Sequence, residues 1–252
     1  MSYQTFVLVS DTHGSYICPS WRKAVLKFCK DVKPDRRIHC GDVWDFTCLR
    51  KGSSESERMV AIADDLEAGI KFLNDYFGQD GAKNKNDVLT WGNHDDRLFR
   101  TAAEGKGMVG EYAALIKKEI DKTTKKLKLN PTEYSVKKNP VEIGPNKYVL
   151  HGFHSGLTVA RKCAATWGNS ISGHVHQFQY WKEPNVHGHE AYIVGCGSTI
   201  ADGVDYNKTH AAILSHQKGW YYGAINPRNG DWVLWKIIQT SNGQWLNPLK
   251  MK

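Results

Sequence analysis

Phe6-Val7-Leu8-Val9-Ser10-Asp11-Thr12-His13-Gly14 is the stretch on which the reading of this chain turns. Four consecutive apolar residues suit a strand buried on both faces, and the change at Ser10 delivers polar groups just past its C-terminal end. The pattern repeats. Arg37-Ile38-His39-Cys40 leads into Gly41-Asp42-Val43-Trp44-Asp45, and Val88-Leu89-Thr90-Trp91 leads into Gly92-Asn93-His94-Asp95. Helical spacing fills the intervals. Val25, Leu26, Phe28 and Cys29 share a stripe that begins near Trp21 and stops before Pro34. Met59, Ile62, Leu66, Ile70, Leu73 and Phe77 recur every three or four residues, predicting one helix over Glu55–Phe77. Strand, polar block and helix in this rhythm predict an α/β fold with parallel strands.

Downstream of Asp95 a helical stretch is expected to about Leu129, weakened at Gly105 to Gly110 and ending in the basic run Lys122, Lys125, Lys126 and Lys128. Beyond Thr132 the texture is β-rich. Tyr148-Val149-Leu150 ends at His151-Gly152, and Ile171-Ser172 ends at Gly173-His174-Val175-His176. A helix is expected between them, at about Leu157 to Trp167. Asn229-Gly230-Asp231 reads as a hairpin turn. With no repeat or low-complexity linker, we read one domain over 1–252, with a basic helical insertion at about 105–140 and a β-rich part at 189–252.

The 34 Lys and Arg against 26 Asp and Glu leave a formal net charge of +8, a surface that attracts anions such as phosphate esters. The six cysteines form no Cys-x-x-Cys pair, which argues against a zinc ribbon and for reduced thiols. No apolar run has membrane-spanning length and Phe6–Val9 is too short for a signal-peptide core, so a soluble, cytoplasmic protein with no membrane partner is expected.

Chemistry enters with the polar blocks. A two-metal hydrolase needs a carboxylate able to bridge two ions, neutral ligands to complete each shell, and room for water and substrate. Asp and His two apart at strand ends supply such donors, and any one block alone would read as a turn or cap. In this order, Asp11-x-His13, Gly41-Asp42-x-x-Asp45, Gly92-Asn93-His94-Asp95, His151 and Gly173-His174-x-His176 resemble the calcineurin-like metallophosphoesterases, over about two-thirds of the chain. The resemblance implies a layered α/β/β/α sandwich of two mixed β-sheets flanked by helices. It implies two divalent metal ions, one held by Asp11, His13, Asp42 and His176, the other by Asp42, Asn93, His151 and His174. A metal-bridging hydroxide would attack phosphorus, with His94 assisting the leaving group and Asp45 orienting it. His154 competes with His151 for the ligand role, but His151 directly follows the strand. His39, His187, His189, His210 and His216 lack matching context and read as structural or exposed.

For substrate contacts, Arg97 is a candidate phosphate clamp, unless it pairs with Asp95 or Asp96, and Trp44 is a candidate lining of the cleft. The basic texture of Lys122 to Lys138 lies where an insertion would overhang the cleft and follow a phosphate backbone. Within the resemblance, the protein Ser/Thr phosphatases carry arginines where this chain has Phe46 and Trp91-Gly92. The purple acid phosphatases carry a tyrosine at or near Asp45. A phosphodiesterase acting on DNA or RNA is therefore the first reading. A phosphomonoesterase acting on a nucleotide or small metabolite, and a nucleic-acid-binding module with a vestigial site, remain the alternatives. The mixed His, Asn and carboxylate shells suit Mn first, with Fe, Zn, Ni, Co or Mg also accommodated.

Overall fold

The computed structural model describes residues 3–59, 61–79, 86–186, 188–199 and 216–247. The first half contains β1 (Gln4–Val9), α1 (Pro19–Val32), β2 (Arg36–His39), α2 (Glu55–Arg58), α3 (Ile62–Phe77), β3 (Val88–Leu89), α4 (Asn93–Glu104) and α5 (Gly107–Lys126). The second contains β4 (Val141–Gly144), β5 (Lys147–Leu150), α6 (Val159–Trp167), β6 (Ser170–Ser172), β7 (Gln179–Lys182) and β8 (Glu190–Ile193). The chain closes with β9 (Gly219–Ile225), β10 (Trp232–Gln239) and β11 (Trp245–Leu246). Two mixed sheets result, ordered β11-β10-β9-β1-β2-β3 and β4-β5-β6-β8-β7. In the first, β1, β2 and β3 are parallel and β9 joins β1 antiparallel. In the second, β5, β6 and β8 are parallel.

Strand β1 shows why four apolar residues stand in a row. Side chains alternate across a strand, so Phe6 and Leu8 face one way and Val7 and Val9 the other, and both faces are covered. Phe6 and Leu8 join Ile38, Val149, Ile171 and Tyr221 in the layer between the sheets. Val7 and Val9 meet Trp21, Val25 and Phe28 of α1 and Phe72, Leu73 and Tyr76 of α3. On the opposite flank Val159, Ala160, Cys163 and Ala164 of α6 cover Ala191 and Ile193 of β8. The layers are therefore α/β/β/α, as expected.

The helix expected over 55–77 is interrupted. Ser54 caps α2 through a capping box with Glu57, and Ala61 is extended (φ −67°, ψ 113°) before α3 starts. That kink resets the helical phase, and Met59 falls outside the buried stripe at 79 % exposed. The break expected near Gly105 is present, with Gly105 in the left-handed region (φ 60°) between α4 and α5.

The stretch at 105–140 is anchored in the fold. Ala113, Ile116 and Ile120 of α5 share the core cluster of Val7 and Trp21. Thr132 exchanges backbone hydrogen bonds with Leu89 and Trp91. Lys122 pairs with Glu119 at 3.6 Å and Lys138 with Glu133 at 2.8 Å, so part of the basic texture is neutralised locally.

Candidate metal centre

The loops that follow β1, β2, β3, β5 and β6 leave the C-terminal ends of parallel strands and meet at one edge. Backbone bonds lace them together: Asp11 N–H donates to Gly41 O at 3.0 Å, His13 N–H to Asp42 O at 3.0 Å, and Gly173 N–H to His151 O at 2.8 Å. Five polar residues there adopt positive φ: Asp11 (55°), His13 (50°), Asp42 (53°), His174 (78°) and His176 (57°). Left-handed backbone costs a side-chain-bearing residue about 1 kcal/mol or more, so the surrounding fold holds this conformation against its local preference. Glycine is required where the loops touch. A Cβ on Gly92 would stand 2.0 Å from Asp42 Oδ1, and one on Gly173 would stand 2.0 Å from Ser10 Oγ and 2.4 Å from Asp11 Oδ2.

The donors converge in two groups. In the first, His176 Nε2 lies 3.2 Å from Asp11 Oδ1 and 3.1 Å from His13 Nε2. In the second, His151 Nε2 lies 3.3 Å from Asp42 Oδ2, 3.0 Å from Asn93 Oδ1 and 3.3 Å from His174 Nδ1. Asp11-His13-His176 and Asp42-His151-His174 each offer ligand atoms within 4.8 Å of one another.

These donors fit a pair of divalent cations. Imidazole nitrogens that face each other repel unless a proton or a cation lies between them, and Asp11 Oδ1 is buried without a hydrogen bond. The titration behaviour shows the same demand for positive charge. Burial pushes Asp42 up, but His151 and His94 outweigh it and hold the carboxyl well below its ordinary range. Asp11 is likewise lowered, through His176, against its burial. His151 is raised to about 9 because Asp42 outweighs its burial, whereas burial and the neighbouring His151 depress His174 to about 4. Neutral nitrogen, carboxylate and amide oxygen together are the ligand mixture of first-row divalent metals.

Asp45 stands behind these groups. Its Oδ1 accepts from Nδ1 of His13 at 3.0 Å and from Nδ1 of His94 at 2.5 Å, which turns Nε2 of His13 toward the first donor group. His94 Nε2 lies 3.8 Å from Asp42 Oδ2. Burial lowers the His94 imidazole, but Asp42 and Asp45 outweigh it and the net shift is upward. Arg97 donates from Nη1 to Asp45 O at 3.0 Å and brings Nη2 to 3.1 Å from His94 Nε2. It pairs with neither Asp95 nor Asp96, and Asp96 binds Arg100 instead at 2.8 Å.

Two expectations are corrected. Trp44 does not line a cleft: its indole is fully buried, stacks on Phe46, tilts against Trp91 and donates to Leu66 O at 3.2 Å. Left-handed backbone at Asp42 (φ 53°) and Phe46 (φ 48°) makes this an irregular loop, so Asp42 and Asp45 face the site while Trp44 enters the core. His216 is not isolated either, since its Nδ1 is 3.4 Å from His176 Nδ1. His154 sits apart, against Thr166, while His39 is buried on Thr12 and His189 pairs with Glu183. His187 and His210 lie outside the described residues.

Sequence reading missed three anchoring side chains. Asp65 accepts the N–H groups of Ser15, Asp45 and Phe46, binding two ligand loops to α3. Asp95 accepts those of Asp42, Gly92 and Trp44, and burial raises it to about 8. Asn139 accepts from His151 N at 2.7 Å and donates to Trp91 O at 2.8 Å. Asp95 stands in the third polar block and Asp65 is an acidic residue on the buried stripe of α3, whereas nothing local marks Asn139.

The calcineurin-like phosphoesterase family matches residues 4–193, which include all of these donors. The chain belongs to that family. It is a metal-dependent phosphoester hydrolase. Gene 54 protein of Mycobacterium phage D29 is 29% identical over 188 residues, 68% of each chain. Similar solved structures include a metallophosphoesterase from Sphaerobacter thermophilus, 15% identical, covering 88% of this chain and 83% of that one at a TM-score of 0.46. Another is an archaeal phosphodiesterase, 16% identical, covering 92% and 99% at a TM-score of 0.40. Among the described residues no helix is long and apolar enough to cross a membrane.

Proposed function

We propose that this chain is a two-metal phosphodiesterase that acts on nucleic acid, DNA or RNA. The supporting observation is the distribution of cationic charge around His94. Arg97 is held beside it by Asp45 O. Phe46 and Trp91 are packed in the core, at or beside the positions where the Ser/Thr phosphatases of the family carry arginine. One guanidinium suits the single charge of a phosphodiester better than the two charges of a terminal phosphate. The net charge of +8 adds attraction for a polyanion.

Asp11, His13, Asp42 and His176 would hold one ion, and Asp42, Asn93, His151 and His174 the other. Such ions supply Lewis-acid charge to the phosphoryl oxygens and make water acidic enough to attack at neutral pH. Manganese is the metal we favour, because this donor set is harder than a thiolate site. Within the protein, Asp45 fixes the His94 ring through Nδ1 and leaves Nε2 to deliver a proton to the departing oxygen. Arg97 orients the phosphate as it leaves His94 for the substrate. A cytoplasmic location accords with cysteines that are all free.

The test compares bis(p-nitrophenyl) phosphate with p-nitrophenyl phosphate, using metal-stripped protein resupplied with Mn, and runs labelled single- and double-stranded DNA and RNA in parallel. Metal-restored diester and nucleic-acid cleavage is expected. Turnover of the monoester alone would replace this reading with a phosphomonoesterase, and tight metal binding without any turnover would leave a binding module.

A further inference from the structure

Beyond His176 the edge of the metal centre continues into a second feature. His216 packs edge-on against His176, with ring centroids 4.5 Å apart and planes at 71°. The same His216 forms one wall of a cavity of about 240 Å³ bounded by Gln217, Lys218, Lys236 and Thr240. This cavity therefore begins one imidazole away from a candidate metal ligand.

The wall is built firmly. Gln217 N–H donates to His176 O at 2.8 Å, and the Gln217 side-chain oxygen accepts from Phe178 N at 3.0 Å. Cys196 N–H donates to Gln217 O at 2.9 Å, and Gly219 N–H to Cys196 O at 3.2 Å. Residues 216–219 are thus stitched to the segment that carries His176. Across the cavity Lys236 comes from β10, paired with Tyr221 of β9, and its Nζ lies 5.3 Å from the centre of the Phe178 ring.

Its charge is one-sided. Among the described residues no Asp or Glu lines the cavity, and neither lysine ammonium is paired with a carboxylate. Two cations in a polar recess, with side-chain amide and hydroxyl groups beside them, recognise a small oxyanion. The geometry points to a subsite for a second phosphate of the substrate, one linkage from the phosphate at the metal centre, with Lys218 and Lys236 as its specificity-determining residues. This inference rests on the diesterase reading and narrows it: the preferred substrate carries a phosphate next to the scissile one.

The test uses the Mn-loaded protein with His94→Ala, to block turnover, and a thymidine dinucleotide with and without a phosphate at its 5′ or 3′ end. Calorimetry should find at least one end-phosphorylated form binding about tenfold more tightly than the unphosphorylated one. Adding Lys218→Ala and Lys236→Ala should abolish that difference, and Lys→Arg at both positions should keep it, with Mn stoichiometry equal throughout. Equal affinity for all dinucleotides, or a preference that survives the double alanine change, would overturn the subsite. Because binding is read without catalysis, the two ideas separate. A wild-type protein inert on diesters but showing the lysine-dependent preference would lose the diesterase assignment and retain the subsite.

Discussion

His94 stands between two carboxylates that raise its affinity for a proton and an arginine that lowers it. Its Nδ1 donates to Asp45 and its Nε2 accepts from Arg97, so Nε2 is the nitrogen that would carry the leaving-group proton once Arg97 turns to the substrate. His94→Ala should lower kcat on a diester by about a hundredfold or more while leaving the bound metal unchanged, as read by steady-state kinetics and metal analysis. Equal loss of metal and activity would make His94 a ligand instead. At this scale the sequence was legible where a residue stands just past a strand end: Asp11, Asp42, His151 and His174 all lie in the two donor groups. It misled at Trp44 and His216. For Trp44, adjacency to Asp42 and Asp45 gave no information on which way the side chain turns. His216 meets its partner only across 40 residues of chain.

At the scale of elements, Asp65 shows how α3 holds the site. One carboxylate receives three loop N–H groups, although burial raises its pKa to about 6. Asp65→Ala would strand those donors in the interior. We expect a loss of about 3 kcal/mol in urea unfolding and about tenfold weaker metal binding by titration calorimetry. Far from the metals, Asp87 precedes β3 and accepts the Arg37 N–H at 2.7 Å, and burial raises its pKa to about 6 as well. A raised carboxyl favours the folded state below its unfolded pKa and gives up that advantage as pH rises to about 6. The wild-type chain should therefore lose stability relative to Asp87→Asn between about pH 4 and pH 6, seen as a changing gap between urea midpoints. A gap that stays constant would mean that Asp87 does not titrate in this window. The element pattern was mostly readable, because periodicity reports which face is buried. The interruption between α2 and α3 was not, since the spacing of Met59 and Ile62 fits a continuous helix and only the extended Ala61 breaks it.

Across the whole molecule, two sheets bring together donors from loops separated by as many as 165 positions, and five of those donors sit in left-handed backbone. Such an assembly is strained and rich in buried charge, and ligands that bind only the folded state stabilise it by mass action. Chelation should lower the thermal midpoint. Mn at about 100 times its Kd should return about 2.7 kcal/mol per site, measured by calorimetry with and without EDTA. A midpoint indifferent to chelator would show that the clusters are held without metal. By itself the sequence determined the α/β class, the ends of the strands and the kinds of donor placed there, because burial periodicity and residue chemistry are local properties. The tertiary structure decided the rest: which imidazoles face one another, the N–H groups collected by Asp65 and Asp95, the burial of Trp44, and the lysine-lined cavity beside His176. Those depend on distances between segments remote in the chain, and no local pattern encodes them.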